Sequence, residues 1–187
     1  MYNKGLMPDN KLKYWFIFFL IGTIVFVYIM STTGSTLFTS KAKHGIVSLE
    51  LAVDKSAADS IQSEWVSIQH GKYNNAELAI TNTKWDLGFL FFYSFLLYVS
   101  LKWVAGKNNT GYGLRRLAFY AAPFALVAGM LDVIENAGML QTLEGKSTEM
   151  IVKITYWSSL FKWALLLLLI LVLILSFISK LVKRKTQ

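Results

Sequence analysis

The chain has 187 residues, 19 Lys and Arg against 11 Asp and Glu, 55% hydrophobic and 15% aromatic side chains, and no cysteine. One soluble core of this length would not bury so much apolar surface. The absent thiol excludes a disulfide framework, a thiol redox relay, a cysteine nucleophile and a thiolate metal site. The net charge of +8 falls in blocks between apolar runs, a distribution that argues against a nucleic-acid partner.

Four stretches carry no charge: residues 14–40, 87–101, 117–131 and 163–179. A helix needs about 20 residues to cross roughly 30 Å of hydrocarbon. The two middle runs are shorter than this and must take in their flanking charges to span. The expected fold is an all-α integral membrane protein, a four-transmembrane-helix bundle in one membrane domain. Its spans lie at about 13–32, 85–105, 116–138 and 157–179, and a helical extracytoplasmic insertion covers about 33–84.

The first span follows Lys4, Lys11 and Lys13. It is longer than a signal-peptide core and no small-x-small site follows it, so it reads as a retained helix. Lys102, Lys107, Arg115 and Arg116 separate spans two and three, and Lys180, Lys183, Arg184 and Lys185 follow span four. By the positive-inside rule both termini are then cytoplasmic, in a membrane expected to be a bacterial cytoplasmic membrane, with membrane lipids as immediate partners.

Within the insertion, "HGIVSLELA" suits a short helix better than a strand, because Leu49, Leu51 and Ala52 are good helix formers and no partner strand is visible. Ser56 followed by Asp59 resembles a capping box. Ala58, Ile61, Trp65 and Ile68 then recur at helical spacing, the pattern of an amphipathic helix. Asn74 or Asn75 is positioned to cap a helix that runs into the second span. The stretch "AGKNNTGY" at 105–112 has turn composition and predicts an antiparallel pairing of spans two and three. His44 and His70 lie outside the apolar runs and read as solvated loop residues, so the residue set suggests no metal and no cofactor.

The chemistry concentrates at "GMLDVIENAGML", residues 129–140. On the third span Ala118, Ala122, Ala125, Gly129, Asp132 and Asn136 follow steps of three and four, which puts the acid and the amide on a small-residue stripe facing other helices. Counting helix rise from the flanking basic residues places Asp86 and Asp132 roughly 24 Å, and Lys162 roughly 27 Å, from one surface. Ionisable groups at that depth are costly unless paired or hydrated. A polar chamber in the outer third of the bundle is therefore expected from Asp86, Asp132, Glu135, Asn136 and Lys162, with Tyr93 on the face of Asp86 and with Glu50 and Trp65 as its roof. The alternative for Asp132 and Lys162 is an interhelical ion pair that holds register. Asp86 beside Trp85 also suits interface solvation, and Glu135 is long enough to reach water. Pro123 suggests a kink in the third span.

The order "GIVSLELA", then Ile61 and Trp65, then "WDLGFLFFYSFLLY", then "LDVIENAGML" resembles a family of uncharacterised bacterial four-helix membrane proteins. The resemblance covers about residues 45–140 and is carried by Glu50, Leu51, Ala52, Trp65, Asp86, Tyr93, Asp132, Glu135 and Asn136. It implies a four-helix membrane fold and no particular activity.

Three functions suit these residues. The chamber binds a lipid-like or amphipathic small molecule, as a carrier or as an enzyme using paired carboxylates for acid/base work. Alternatively the chain is a non-catalytic structural or accessory subunit of a larger membrane complex, with a membrane protein partner or a second copy of itself. Last is ion- or proton-coupled transport as an oligomer. Ser158 and Ser159 near Lys162 are a weak nucleophile signal, and the residues define no reaction.

Overall fold

A computed structural model describes residues 9–106 and 112–185. It is an all-α bundle of four long apolar helices, α1 (Asp9–Gly34), α4 (Asn75–Gly106), α5 (Tyr112–Leu143) and α6 (Glu149–Lys185), with a helical segment interposed between the first two. That segment holds a 3-10 turn (Ser35–Leu37), α2 (Ile46–Glu50), α3 (Lys55–Ser67) and a hairpin of β1 (Gln69–His70) and β2 (Tyr73–Asn74). All four long helices have the length and hydropathy to cross a membrane, and the chain is an integral membrane protein.

The shortness of the two middle charge-free runs is resolved by helix length. Both α4 and α5 have 32 residues, roughly 48 Å at the α-helical rise, so they are long enough to span by taking in flanking charges, Asp86 and Asp132 among them. α4 begins well before residue 85 because a reciprocal cap starts it. The Glu77 backbone N–H donates to Asn74 Oδ1 (2.9 Å) while the Asn74 N–H donates to Glu77 Oε2 (2.8 Å). α6 likewise starts ahead of its span, at Glu149 behind Thr148, whose hydroxyl accepts from the Ile151 N–H at 3.2 Å. α5 closes on Gly145 at φ +74. The Lys146 N–H donates to the Gln141 carbonyl and the Gly145 N–H to that of Thr142, a Schellman stop that favours glycine at the left-handed position. Pro123 lies inside an uninterrupted α5.

The helical segment departs from the sequence expectation in two places. The cap of α3 is Asp54, whose carboxylate accepts from the Ala57 N–H at 2.8 Å; Ser56 already lies inside the helix. An aspartate in extended backbone one residue ahead of the first turn satisfies the free N–H groups better than a serine within it. Residues 69–74 form an antiparallel hairpin turning at Gly71 and Lys72 instead of open loop; His44 and His70 are both exposed. The connector at 107–111, expected as a turn, lies outside the described residues, as do Lys4 and Lys107. At its edges the Arg115 Nε–H donates to the Ala105 carbonyl at 3.1 Å, so the end of α4 and the start of α5 lie side by side.

Two compact units are internally packed. The first, within residues 1–23, 91–129 and 163–187, has an alanine seam on α5, Ala118, Ala122 and Ala125, each fully buried against Leu101, Ala105 and Leu169. The predicted small-residue stripe thus does what it does in membrane bundles, admitting a neighbouring helix at short range. A second cluster there is aromatic, with Phe19 stacked on Phe95 at 5.3 Å, and the Lys102 ammonium stands 3.9 Å over the Phe119 ring.

The second unit, within residues 24–90 and 130–162, holds the helical segment and the polar residues. Its apolar core gathers Leu37, Leu49, Ala58, Ile61 and Trp65 with Ala79, Met139 and Val152. α5 and α6 approach closely here at Gly138, where a methyl group would collide with the Thr155 hydroxyl. Glycine at 138 therefore sets the spacing of the two helices that carry most of the site.

Candidate functional site, a buried charge knot

All parts of the site lie in the second unit and come from four helices. Spacing on α5 puts Asp132, Glu135 and Asn136 at i, i+3 and i+4, on one face. α6 contributes Ser159 and Lys162 by the same rule, and α4 contributes Asp86. Glu50 ends α2, whose entry is set by Gly45 at φ +59, a backbone state that L side chains resist.

The Lys162 ammonium is the centre. Its Nζ lies 2.7 Å from Glu135 Oε1, 3.1 Å from Asp132 Oδ1 and 3.7 Å from Glu50 Oε2. Asn136 Nδ2 donates to Asp86 Oδ2 at 2.6 Å, and the Ser159 hydroxyl reaches Glu50 Oε2 at 3.5 Å. Every one of these residues is nine-tenths or more buried. Three carboxylates around one ammonium, without bulk water, hold α2, α5 and α6 in fixed register, and the Asp86–Asn136 bond adds α4.

The geometry sorts the expected residues. Asp86, Asp132, Asn136 and Lys162, expected at one level by depth or facing, come together with Glu135 and with Glu50, which was expected in the roof. Glu135 does not reach water: it is fully buried and makes the shortest contact to Lys162, because α5 continues to Leu143 and places residue 135 well inside the helix. Asp86 is also buried rather than solvated at an interface. Trp65 belongs to the apolar core of the helical segment, with its indole N–H donating to the Leu37 carbonyl at 3.1 Å. Tyr93 is buried in the first unit. Ser159, dismissed on sequence as a weak nucleophile signal, is a polar member of the knot; its place one turn before Lys162 on α6 is the signal that marks it.

Two acceptors in the knot have no donor, Glu135 Oε2 and Asn136 Oδ1. Carboxyl groups also outnumber ammonium groups. Beside the knot, a groove of about 630 Å³ runs along α6 and touches α5, walled by Leu131, Met150, Ile154, Trp157 and Phe161, with Ser158 in its lining and the Glu149–Lys153 ion pair at one end. Among the described residues no three His, Asp or Glu side chains are gathered as a metal-ligand set.

The helical segment is fastened within the unit by exposed and half-buried polar contacts. Glu64 accepts from the Thr39 and Ser40 hydroxyls and from the Lys41 N–H. Asp59 pairs with Lys55 and accepts from the Ser147 hydroxyl, and the Lys55 N–H donates to Glu149 Oε2 at 3.1 Å. Bonding from Lys55, then from Ser147, holds the Asp59 carboxyl below its ordinary value of 3.8. The Ser40 and then the Thr39 hydroxyl hold Glu64 below 4.5. A carboxylate depressed in the folded state stabilises it fully above the ordinary value and loses that contribution as the pH falls through the folded one. Limited proteolysis of detergent-solubilised protein should therefore show residues 35–68 opening below about pH 4 while they resist at pH 7. Glu64→Gln should bring part of that susceptibility to neutral pH; an acid profile unchanged by the substitution would remove Glu64 from the fastening.

Comparison with protein-family models, with curated proteins and with solved structures finds no match to this chain, so the site is read from its own geometry.

Proposed function

We propose that the protein is a non-catalytic structural or accessory subunit of a larger membrane complex. The observation that carries this reading is the Lys162 knot. Its one ammonium is shared among Glu135, Asp132 and Glu50, out of contact with water, in the arrangement expected of a device that fixes helix register. A second observation points to a partner. Outside the spans the helical segment exposes Phe38, Leu51, Val53, Val66 and Tyr73, apolar side chains that lipid tails do not cover and that a protein surface would. In this reading both termini face the cytoplasm of a bacterial cell and the segment docks its partner on the other side, an orientation supported by the charge blocks. Membership of the four-helix family resembled by the sequence is part of the proposal, supported by Glu50, Asp86, Asp132, Glu135 and Asn136 meeting in one knot.

The test is extraction from the native membrane directly into lipid nanodiscs, followed by native mass spectrometry. The expected result is a complex of defined stoichiometry that Phe38→Asp with Val53→Asp dissolves. A chain found at its own monomer mass, with or without the substitutions, would overturn the subunit reading.

One observation favours a second reading, binding of a lipid-like amphiphile. The apolar α5/α6 groove has a volume within the roughly 300–1,000 Å³ of small-molecule sites and adjoins a knot with unused acceptors.

A further inference from the structure

The groove and the two unused acceptors are connected by helix register. Leu131 in the groove wall and Glu135 in the knot are four residues apart on α5, and Ser158 and Lys162 are four apart on α6. Residues at that spacing share a face. Leu131 and Ser158 therefore stand one helical turn from Glu135 and Lys162, on the faces of α5 and α6 that carry the knot. Ser158 is the smallest side chain of the lining and nine-tenths buried, which makes it the thinnest partition between groove and knot.

The chemistry of the knot is one-sided. Glu135 Oε2 and Asn136 Oδ1 are fully buried acceptors with no donor, an arrangement that is costly to leave unmet. Glu50, Asp86, Asp132 and Glu135 bring four carboxyl groups against the single ammonium of Lys162. Both deficits, of donors and of positive charge, are met by the same kind of group. An anionic headgroup would meet a surplus of like charge, and a neutral hydroxyl would supply one donor and no charge. A primary ammonium supplies three donors and the charge.

We propose that the α5/α6 groove and the knot form one binding site for a cationic amphiphile, its apolar chain lying against Trp157 and Phe161 and its ammonium donating to Glu135 Oε2 and Asn136 Oδ1. The inference rests on the second reading above and names its ligand class. It is independent of whether the chain also has a protein partner.

Four probes of equal chain length test it on the full chain in a neutral detergent: dodecylamine, dodecyltrimethylammonium, dodecanol and dodecanoate. The readouts are the thermal unfolding midpoint and the fluorescence of Trp157, isolated in a background where the other tryptophans are phenylalanine. Dodecylamine should raise the midpoint in a concentration-dependent way, trimethylammonium less because it has no N–H to donate, and dodecanoate not at all. Glu135→Gln should weaken dodecylamine by about tenfold, the scale of one lost charge-assisted hydrogen bond. Because Glu135→Gln disturbs the knot itself, Ile154→Trp, which fills the groove and leaves the knot intact, is the second variant and should abolish the shift. Equal responses to dodecylamine and dodecanol would overturn the cationic assignment while leaving an amphiphile groove standing. No response to any probe would overturn both.

Discussion

Lys162→Met should destabilise the protein by about 3–5 kcal/mol, the cost of removing one partner from a buried ionic group and leaving the rest uncompensated. Methionine keeps much of the lysine stem, so the loss reports charge and not volume. Glu135, Asp132 and Glu50 lose the ammonium that sits 2.7, 3.1 and 3.7 Å away, and no bulk water reaches them. Unfolding of detergent-solubilised protein, followed by circular dichroism over a denaturant or temperature series, measures it. The informative partner is Lys162→Met combined with Asp132→Leu, Glu135→Leu and Glu50→Leu. Replacing a whole buried ionic group by apolar side chains of similar size is often neutral or stabilising, so the multiple variant should recover most of the loss. A single Lys162→Met within about 1 kcal/mol of the original, a value typical of exposed pairs, would show that the knot contributes little to the fold.

Trp65→Ala should cost about 3–5 kcal/mol, as expected for a fully buried tryptophan, and the loss should be local. Trp65 is the largest fully buried side chain among the described residues and packs in the cluster of Leu37, Ile61, Met139 and Val152. It ties α3 back to the 3-10 turn that follows α1 through its hydrogen bond to the Leu37 carbonyl. Hydrogen exchange should therefore accelerate across residues 35–68 while the core of the alanine seam at Ala118, Ala122 and Ala125 keeps its protection. Trp65→Phe retains most of the packing and leaves the carbonyl without its donor, about 1 kcal/mol. Unchanged protection of α3 in Trp65→Ala would mean that the segment is held by its polar fastenings at Asp59 and Glu64 instead of its core.

Sequence alone determined the helical membrane class and the shared level along the helices at which Asp86, Asp132 and Lys162 stand, because both depend on quantities that run along the chain. Charge-free run length is compared with bilayer thickness, and residue count is converted to height by a constant rise. The same holds for facing: steps of three and four put Ala118, Ala122, Ala125, Asp132 and Asn136 on one stripe of α5, and all five are buried. Ala58, Ile61 and Trp65 form the buried face of α3 for the same reason.

Tertiary structure alone decided the pairing. Whether Glu135 turns to water or to Lys162 depends on how far α5 continues and what stands across from it, and neither is local. Glu50 on α2 and Lys162 on α6 stand 3.7 Å apart, a contact no periodicity encodes. The cap at Asp54 and the hairpin at residues 69–74 were settled by which backbone N–H groups found an acceptor. Tyr93 shares a helix with Asp86 yet is buried in the other unit, since a common stripe fixes direction and leaves distance along the axis free. Periodicity says which way a side chain points; only the packed neighbours decide what it meets.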